Sequence, residues 1–494
     1  MAGATITQTS ASHARKRLRA REDAAEASKR GSTQENTNGA SNIAVEQPAC
    51  GSNIQEIKEE LVSLYAPSVE AKIWGVAAKG LRQSSPPTLF PEYTKPGGVE
   101  YIYRELDFWT SGFFPGSLHL LLERRRKYGH IFGRPKDASC SVPHLLNLEH
   151  TCKYWTENLH QNALLKSTHD LGFMIMPWAK VAYETNHDLR ALETIKTAAN
   201  TLYSRYSSKL RCIRSWDTCV TKKYNFQDMD TDYMVIIDNM MNLDLLFYAA
   251  SKSGNAEMFS AAVQHARTTA RTHIQPDGST THLIVLDPQS GEIKHRLTNQ
   301  GYSHTSCWAR GQAWGIAGFA ETYHWTRDEE FLRTSQRAAD FFVARLDESG
   351  VVPWDFDARD VMGPGQPSDS SAAMIAAYGM LLIHQALVAL GQPSRYLMEA
   401  LRITRVVCAN NLNPAAALLQ TNIQIETVEH GRVQESIQHV EMGIGDTILN
   451  GATINNFEFA PRRWADHGLV YADYYFLLVG NKLLEIGIGA QILG

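Results

Sequence analysis

Two carboxylates stand at the heads of apolar segments: Asp170 in His169-Asp170-Leu171-Gly172-Phe173, and Asp238 in Ile237-Asp238-Asn239-Met240-Met241-Asn242. An Asp at a helix start accepts from free backbone N–H groups and is held ionised by the helix dipole, so capping is the plain structural alternative for each. The neighbours suggest more than capping, since a His flanks one Asp and an Asn flanks the other. Two carboxylates brought into one cleft can do proton-transfer chemistry. A third run, Trp308-Ala309-Arg310-Gly311-Gln312-Ala313-Trp314, adds a guanidinium fork suited to a carboxylate and indole faces suited to sugar rings. Arg310 and Trp314 lie four apart and share a helix face, while Gln312 points elsewhere. Together these groups suit a sugar acid. Core packing is the commoner fate of a helical aromatic and competes with stacking for Trp308, Trp314 and Trp109, of which the first two rank higher.

These residues need elements that bring them together. Helix-period apolar patterns begin near residues 54, 112, 146, 171, 188, 236, 256, 308, 328, 369, 394 and 466. The odd-numbered segments carry charge on one face, as in Ala191-Leu192-Glu193-Thr194-Ile195-Lys196; the even-numbered ones are richer in Gly, Ala, Met and aromatics. Six exposed and six buried helices in alternation predict an all-α fold, an (α/α)6 toroid of helical hairpins. If the inner helices run the same way, Trp109, Asp170, Asp238, Trp308, Asp369 and Asp466 gather at one end. Short β-hairpin insertions are expected over residues 417–463, turning at His430-Gly431, and over residues 281–295, where the hairpin puts His282 near the mouth.

Composition sets the remaining bounds. With 494 residues, 44% of them hydrophobic, the chain can bury a large core, and residues 51–494 are expected to form the barrel. Residues 1–50 are polar, lack apolar periodicity and read as a disordered tail. The basic stretch from Arg15 to Arg21 is followed at once by acids, and no secretory apolar core is seen, so a cytoplasmic protein is expected. A formal net charge of −4 gives no basic footprint for nucleic acid. Seven scattered cysteines show neither zinc spacing nor a disulfide framework, and the sequence calls for no metal. The uncharged stretch 370–394 has the length of a membrane span, but its Ala and Gly content suits a buried inner helix better, so no membrane is expected.

Six motifs in order, adding Gln300-Gly301-Tyr302-Ser303, Asp369-Ser370-Ser371-Ala372 and Tyr471-Ala472-Asp473-Tyr474-Tyr475-Phe476-Leu477 to the three above, resemble the unsaturated glucuronyl hydrolases, glycoside hydrolase family 88. The resemblance covers roughly residues 100 to 480 and implies the same toroid. It also implies release of a 4,5-unsaturated uronic acid from lyase-generated oligosaccharides, with no cofactor. By position, Asp238 resembles the family's general acid and base and Asp170 its partner carboxylate. Arg310 is expected to hold the substrate carboxylate, His282 and Gln300 to contact substrate near the reacting atoms, and His169 to orient Asp170 or fill the cleft floor. Ser370 and Ser371 match positions that meet the next sugar or its sulfate, though Ser at a helix start is as often a cap. His304 and the segment 417–463 depart from the family pattern. The alternatives are the sister family of unsaturated rhamnogalacturonyl hydrolases, an inverting glycosidase on the same toroid, and a non-catalytic sugar-acid binding protein.

Overall fold

The computed structural model describes residues 57–132, 143–358, 365–441 and 445–494; the tail expected over residues 1–50 lies outside them. Twelve long helices follow one another: α1 (Pro67–Leu81), α2 (Phe113–Tyr128), α3 (Leu145–Thr156), α4 (Leu171–Asn186), α5 (Leu189–Tyr203), α6 (Asn239–Ser253), α7 (Ala256–His273), α8 (Ala309–Thr326), α9 (Glu329–Ala344), α10 (Ser370–Ala389), α11 (Tyr396–Asn410) and α12 (Val470–Glu485). Each even-numbered helix packs on the next, and α12 packs back on α2, so the six close a ring. The odd-numbered helices pack outside them. In α5, for example, Leu192, Ile195 and Leu202 are buried while Glu193 and Lys196 pair at the surface. The uncharged helix α10 is one of the inner six, packed against α8, α11 and α12.

A local rule joins inner to outer helices. At three junctions a left-handed residue is followed by an Asx cap: His187-Asp188, Gly254-Asn255 and Arg327-Asp328. The left-handed residue ends the inner helix, and the Asp or Asn side chain accepts a backbone N–H of the outer one. Only Gly254 takes that conformation without the penalty of roughly 1–2 kcal/mol that a Cβ brings.

Strands form small antiparallel additions. β1 (Leu89–Thr94) pairs with β2 (Tyr101–Glu105), and two-residue ladders join β3 (Tyr206–Ser207) to β4 (Cys212–Ile213) and β5 (Cys219–Val220) to β6 (Asn225–Phe226). A sheet in the order β7 (Tyr233–Ile236), β8 (Leu283–Leu286), β9 (Ile293–Leu297) contains the hairpin expected over residues 281–295. The second expected hairpin is β10 (Ala417–Thr427) with β11 (Gly431–Glu441), lying on α1. Strand β7 was not expected: its four residues are all buried, and such a run lacks the alternation that marks a strand.

Aromatic side chains fill the ring's interior. Phe173 lies 5.1 Å from Trp314 and 5.7 Å from Phe113, and Trp314 lies 5.5 Å from Tyr475. These rings make an aromatic plug inside the ring of helices. Five cysteines among the described residues are buried and free.

Candidate active site

At one mouth the starts of α4 and α6 come together. The oxygen of Asn242 accepts from the Phe173 N–H (3.1 Å), and a Cβ on Gly172 would lie 2.7 Å from Asn242 Cα, so only glycine permits this approach. Ser215 ties the two entry segments: its carbonyl accepts from His169 N–H (3.2 Å) and its hydroxyl oxygen from Ile236 N–H (2.9 Å). Strand pairing continues through Ile237, whose N–H donates to the His282 carbonyl (3.1 Å). Thus β7 delivers Asp238 and β8 delivers His282 to the same place.

Neither Asp170 nor Asp238 caps its helix, whereas Asp369 does, accepting from the N–H groups of Ser371 and Ala372. The capping alternative therefore does not account for the first two. Their partner is His169, fully buried, whose Nε2 lies 3.1 Å from Asp170 Oδ1 and 3.7 Å from Asp238 Oδ1. The Thr168 hydroxyl donates to the other Asp170 oxygen (2.6 Å). Burial opposes charge on Asp170, but His169 and the Thr168 hydrogen bond hold its carboxyl below the usual range. Burial disfavours a charged His169 as well, yet the neighbouring Asp170 raises its pKa. Asp238 goes the other way: burial lifts its carboxyl to about 6, against the pull of His169 and with help from the charge on Asp170. One carboxylate thus stays ionised beside another that can hold a proton near neutral pH.

Several expected contacts differ. Arg310 is 1% exposed, and its fork is occupied: Nη1 donates to Asp369 Oδ2 (2.6 Å) and the Thr453 carbonyl (2.8 Å), Nη2 to the Ile454 carbonyl (2.7 Å). Both terminal nitrogens of Arg310, the residue expected to hold the substrate carboxylate, are thus engaged within the protein. Ser371 donates to Asp369 (2.5 Å) and Ser370 to the Asn450 carbonyl (2.8 Å); both are buried structural bonds, not free groups facing a second sugar. Trp314 lies in the aromatic plug, so its expected stacking on sugar gives way to core packing. Trp109, ranked below it from the sequence, is only partly buried and rests its ring on Tyr471 at 5.1 Å.

Trp308 and His282 form a second group, ring centres 4.5 Å apart, with the Arg310 guanidinium 4.6 Å over the indole. The Asn299 N–H donates to His282 Nδ1 (3.1 Å), which puts the ring proton on Nε2. Burial and the nearby Arg310 charge push the His282 pKa down to about 3, so the ring is neutral. Its Nε2–H and the Trp308 Nε1–H are both buried without a partner. Gln300 donates to the Ile454 carbonyl (3.0 Å) and joins this wall to the loop before α12. Sequence reasoning did not identify Thr168, Ser215 or Asn242 as site residues. Asn242, four residues after Asp238 and hence one helical turn away, carried the one usable signal.

Comparison with known proteins gives the following. The unsaturated glucuronyl hydrolase of Formosa agariphila is 32% identical over 372 residues, 75% of this chain and 78% of that protein. The unsaturated chondroitin disaccharide hydrolase of Streptococcus agalactiae is 34% identical over 298 residues, 60% of this chain and 68% of that protein. Among solved structures, an unsaturated glucuronyl hydrolase specific for heparin superposes with a TM-score of 0.67 at 27% identity, covering 88% of this chain and 98% of that one. The Bacillus sp. GL1 enzyme of the same name gives 0.67 at 23% identity, over 87% and 98%, a likeness of fold. No family profile matches the chain.

Proposed function

The chain belongs to the unsaturated glucuronyl hydrolases, and from that premise we propose how its cleft removes a 4,5-unsaturated uronic acid from the non-reducing end of an oligosaccharide. The closed ring of six inner and six outer helices is read as an (α/α)6 toroid, its substrate mouth at the starts of α4, α6, α8 and α10. The carrying observation is the divided protonation of Asp170 and Asp238 across His169.

The substrate is a vinyl ether. Asp238 in its acid form gives its proton to C4, and the double-bond electrons form that C–H bond. The cation left at C5 is stabilised by the ring oxygen. Water then adds at C5 and returns a proton to Asp238, and the resulting hemiketal opens and expels the remaining sugar. A single carboxyl acts as acid and then base, whereas ordinary glycosidases use two at the anomeric carbon. Asp170 keeps its charge and, through His169, fixes the orientation of the pair.

The two orphaned donors, His282 Nε2–H and Trp308 Nε1–H, receive the substrate's carboxylate, with the Arg310 charge behind them. Arg310 then acts on the anion through its field and holds the loop at Thr453 and Ile454 in place. The scheme uses no metal or organic cofactor.

Hydration predicts a distinct isotope pattern. In heavy water the released uronic acid should carry one solvent deuteron at C4, and in oxygen-labelled water the label should enter at C5. Early time points are required because the keto sugar exchanges both. Label at C1 with an undeuterated C4 would establish a conventional glycosidase, and no product would establish a binding protein.

A further inference from the structure

The ring has a second mouth, behind the aromatic plug. Residues from all six inner helices line a cavity of about 190 Å³ there, and a neighbouring cavity of about 240 Å³ shares Lys180, Asp244, Glu321 and Tyr378 with it. About ten residues of α4, roughly 15 Å of helix, separate Lys180 from Asp170, so this is not the site described above.

Its charges are mostly matched. Lys180 pairs with Asp244 (2.9 Å), whose other oxygen accepts from Trp325 Nε1–H (2.7 Å), and Lys482 pairs with Glu485 (2.7 Å). Glu321 is the exception. One of its oxygens accepts from the Tyr378 hydroxyl (2.9 Å), and the other is buried without a partner. Tyr474 and Tyr475 also line this cavity, 7% and 4% exposed, and among the described residues neither phenol has a hydrogen-bond partner. Both sit in the field of Glu321 and Asp244. The buried, unpartnered Glu321 oxygen beside two tyrosines of the cavity wall thus points to a ligand that the protein itself does not supply.

The chemistry narrows the ligand. The two lysines lining both cavities, Lys180 and Lys482, are already paired with Asp244 and Glu485, so neither is left to hold an anion. Among the described residues no group of three or more His, Cys, Asp or Glu is arranged to hold a metal ion. The volume exceeds the roughly 30 Å³ share of one water several-fold. Tyrosine faces around an unmatched carboxyl oxygen suit a positive nitrogen carrying hydrocarbon. We propose that this second mouth binds a small organic ammonium ion, its N–H groups received by Glu321 and by the Tyr474 and Tyr475 hydroxyls.

Binding carries a proton signature. Glu321 is faced by Lys180 from α4, Asp244 from α6, Tyr378 from α10, and Tyr474, Tyr475 and Lys482 from α12. Burial first, and then the charge of Asp244, hold its carboxyl up at about 8. At pH 7 the free protein therefore keeps a proton there, and an incoming cation displaces it.

The experiment is calorimetric titration of the full-length protein with butylammonium chloride at pH 7, in two buffers of different ionisation enthalpy. 1-Butanol and sodium chloride serve as neutral and inorganic controls. Saturable binding of the ammonium alone, with release of close to one proton, is expected. Glu321→Gln should weaken it by about tenfold or more and Tyr475→Phe by about threefold, following the usual worth of a charged and a neutral hydrogen bond. Neither change should alter hydrolase turnover at the other mouth. No saturable heat, equal binding of butanol or sodium, no proton release, or undiminished binding by Glu321→Gln would overturn the proposal. If that variant does not fold, proton release and Tyr475→Phe decide it.

Discussion

Proton donation by Asp238 requires its acid form at the start of each turnover, and burial places that carboxyl at about 6. On the proposed scheme kcat/KM falls as pH rises above about 6, since this ratio reports the free enzyme's essential acid. Asp170→Asn removes a negative neighbour that raises the Asp238 pKa, so the falling limb should move toward acid as turnover slows. A limb unmoved in position would show that the two carboxyls are uncoupled. Asp238→Asn should lower kcat by roughly 10²–10⁴-fold, with KM largely kept, because a placed proton donor is worth about that much. The sequence pointed to His169, Asp170 and Asp238 because each sits beside a helix start that the apolar period marks. It did not show what holds Arg310 and Ser370 in place, because their partners are remote. Asp369 lies 59 residues from Arg310, and Asn450 lies 80 from Ser370, distances no local pattern spans.

Elements position these groups through a few buried polar bonds. The pair of Arg310 with Asp369 is almost wholly buried and links the start of α8 to that of α10, while the same guanidinium pins the loop at Thr453 and Ile454. Asp369→Asn leaves that cation without its charge partner, so a loss of about 3–5 kcal/mol is expected in denaturant unfolding, the usual result of breaking a buried pair. KM should rise more than kcat falls, since the wall bearing Gln300 and Trp308 loosens. As a control, Asp328→Ala removes the cap of α9 at the surface and should cost about 1 kcal/mol with kinetics unchanged. Helices of this kind are readable in sequence: caps such as Asp188, Asn255 and Asp328 fall at the starts of periodic runs. Strands β1 and β7 are not, because nearly all their residues are buried by neighbours that the sequence does not place beside them.

Across the whole molecule, buried titratable groups oppose one another. Burial pushes eight of the described histidines down, four of them furthest, His119 and His273 to about 4 and His265 and His282 to about 3, so each of these contributes stability that grows as pH rises to the unfolded value near 6.5. Burial lifts carboxyls instead: Asp238 to about 6, Glu92 and Asp473 to about 7, Glu321 to about 8. Their contribution is complete below the unfolded value near 4 and is lost as pH rises through the folded one. The two sets offset each other between about 4.5 and 6.5, and only the carboxyl loss continues above. Thermal unfolding should therefore show a flat Tm across that lower window and a decline from about 6.5 to 8. A Tm still rising at pH 8 would contradict these assignments.

The closure of α12 on α2 joins the two ends of the ring, residues 113–128 to residues 470–485. On the ribosome this contact comes last. At roughly 5–20 residues per second, α2 waits about 20–70 s for its second neighbour after it emerges. During that interval Phe113, which meets Tyr471, Tyr474 and Tyr475 in the finished ring, has no partner on that side. Nascent chains should therefore expose this apolar face for most of their synthesis and bind chaperones that shield such faces. A chain stopped before Val470 should stay in that condition and collect in the insoluble fraction, although every helix before it is intact. Recovery of such a chain as a soluble monomer would show that the ring tolerates an open seam.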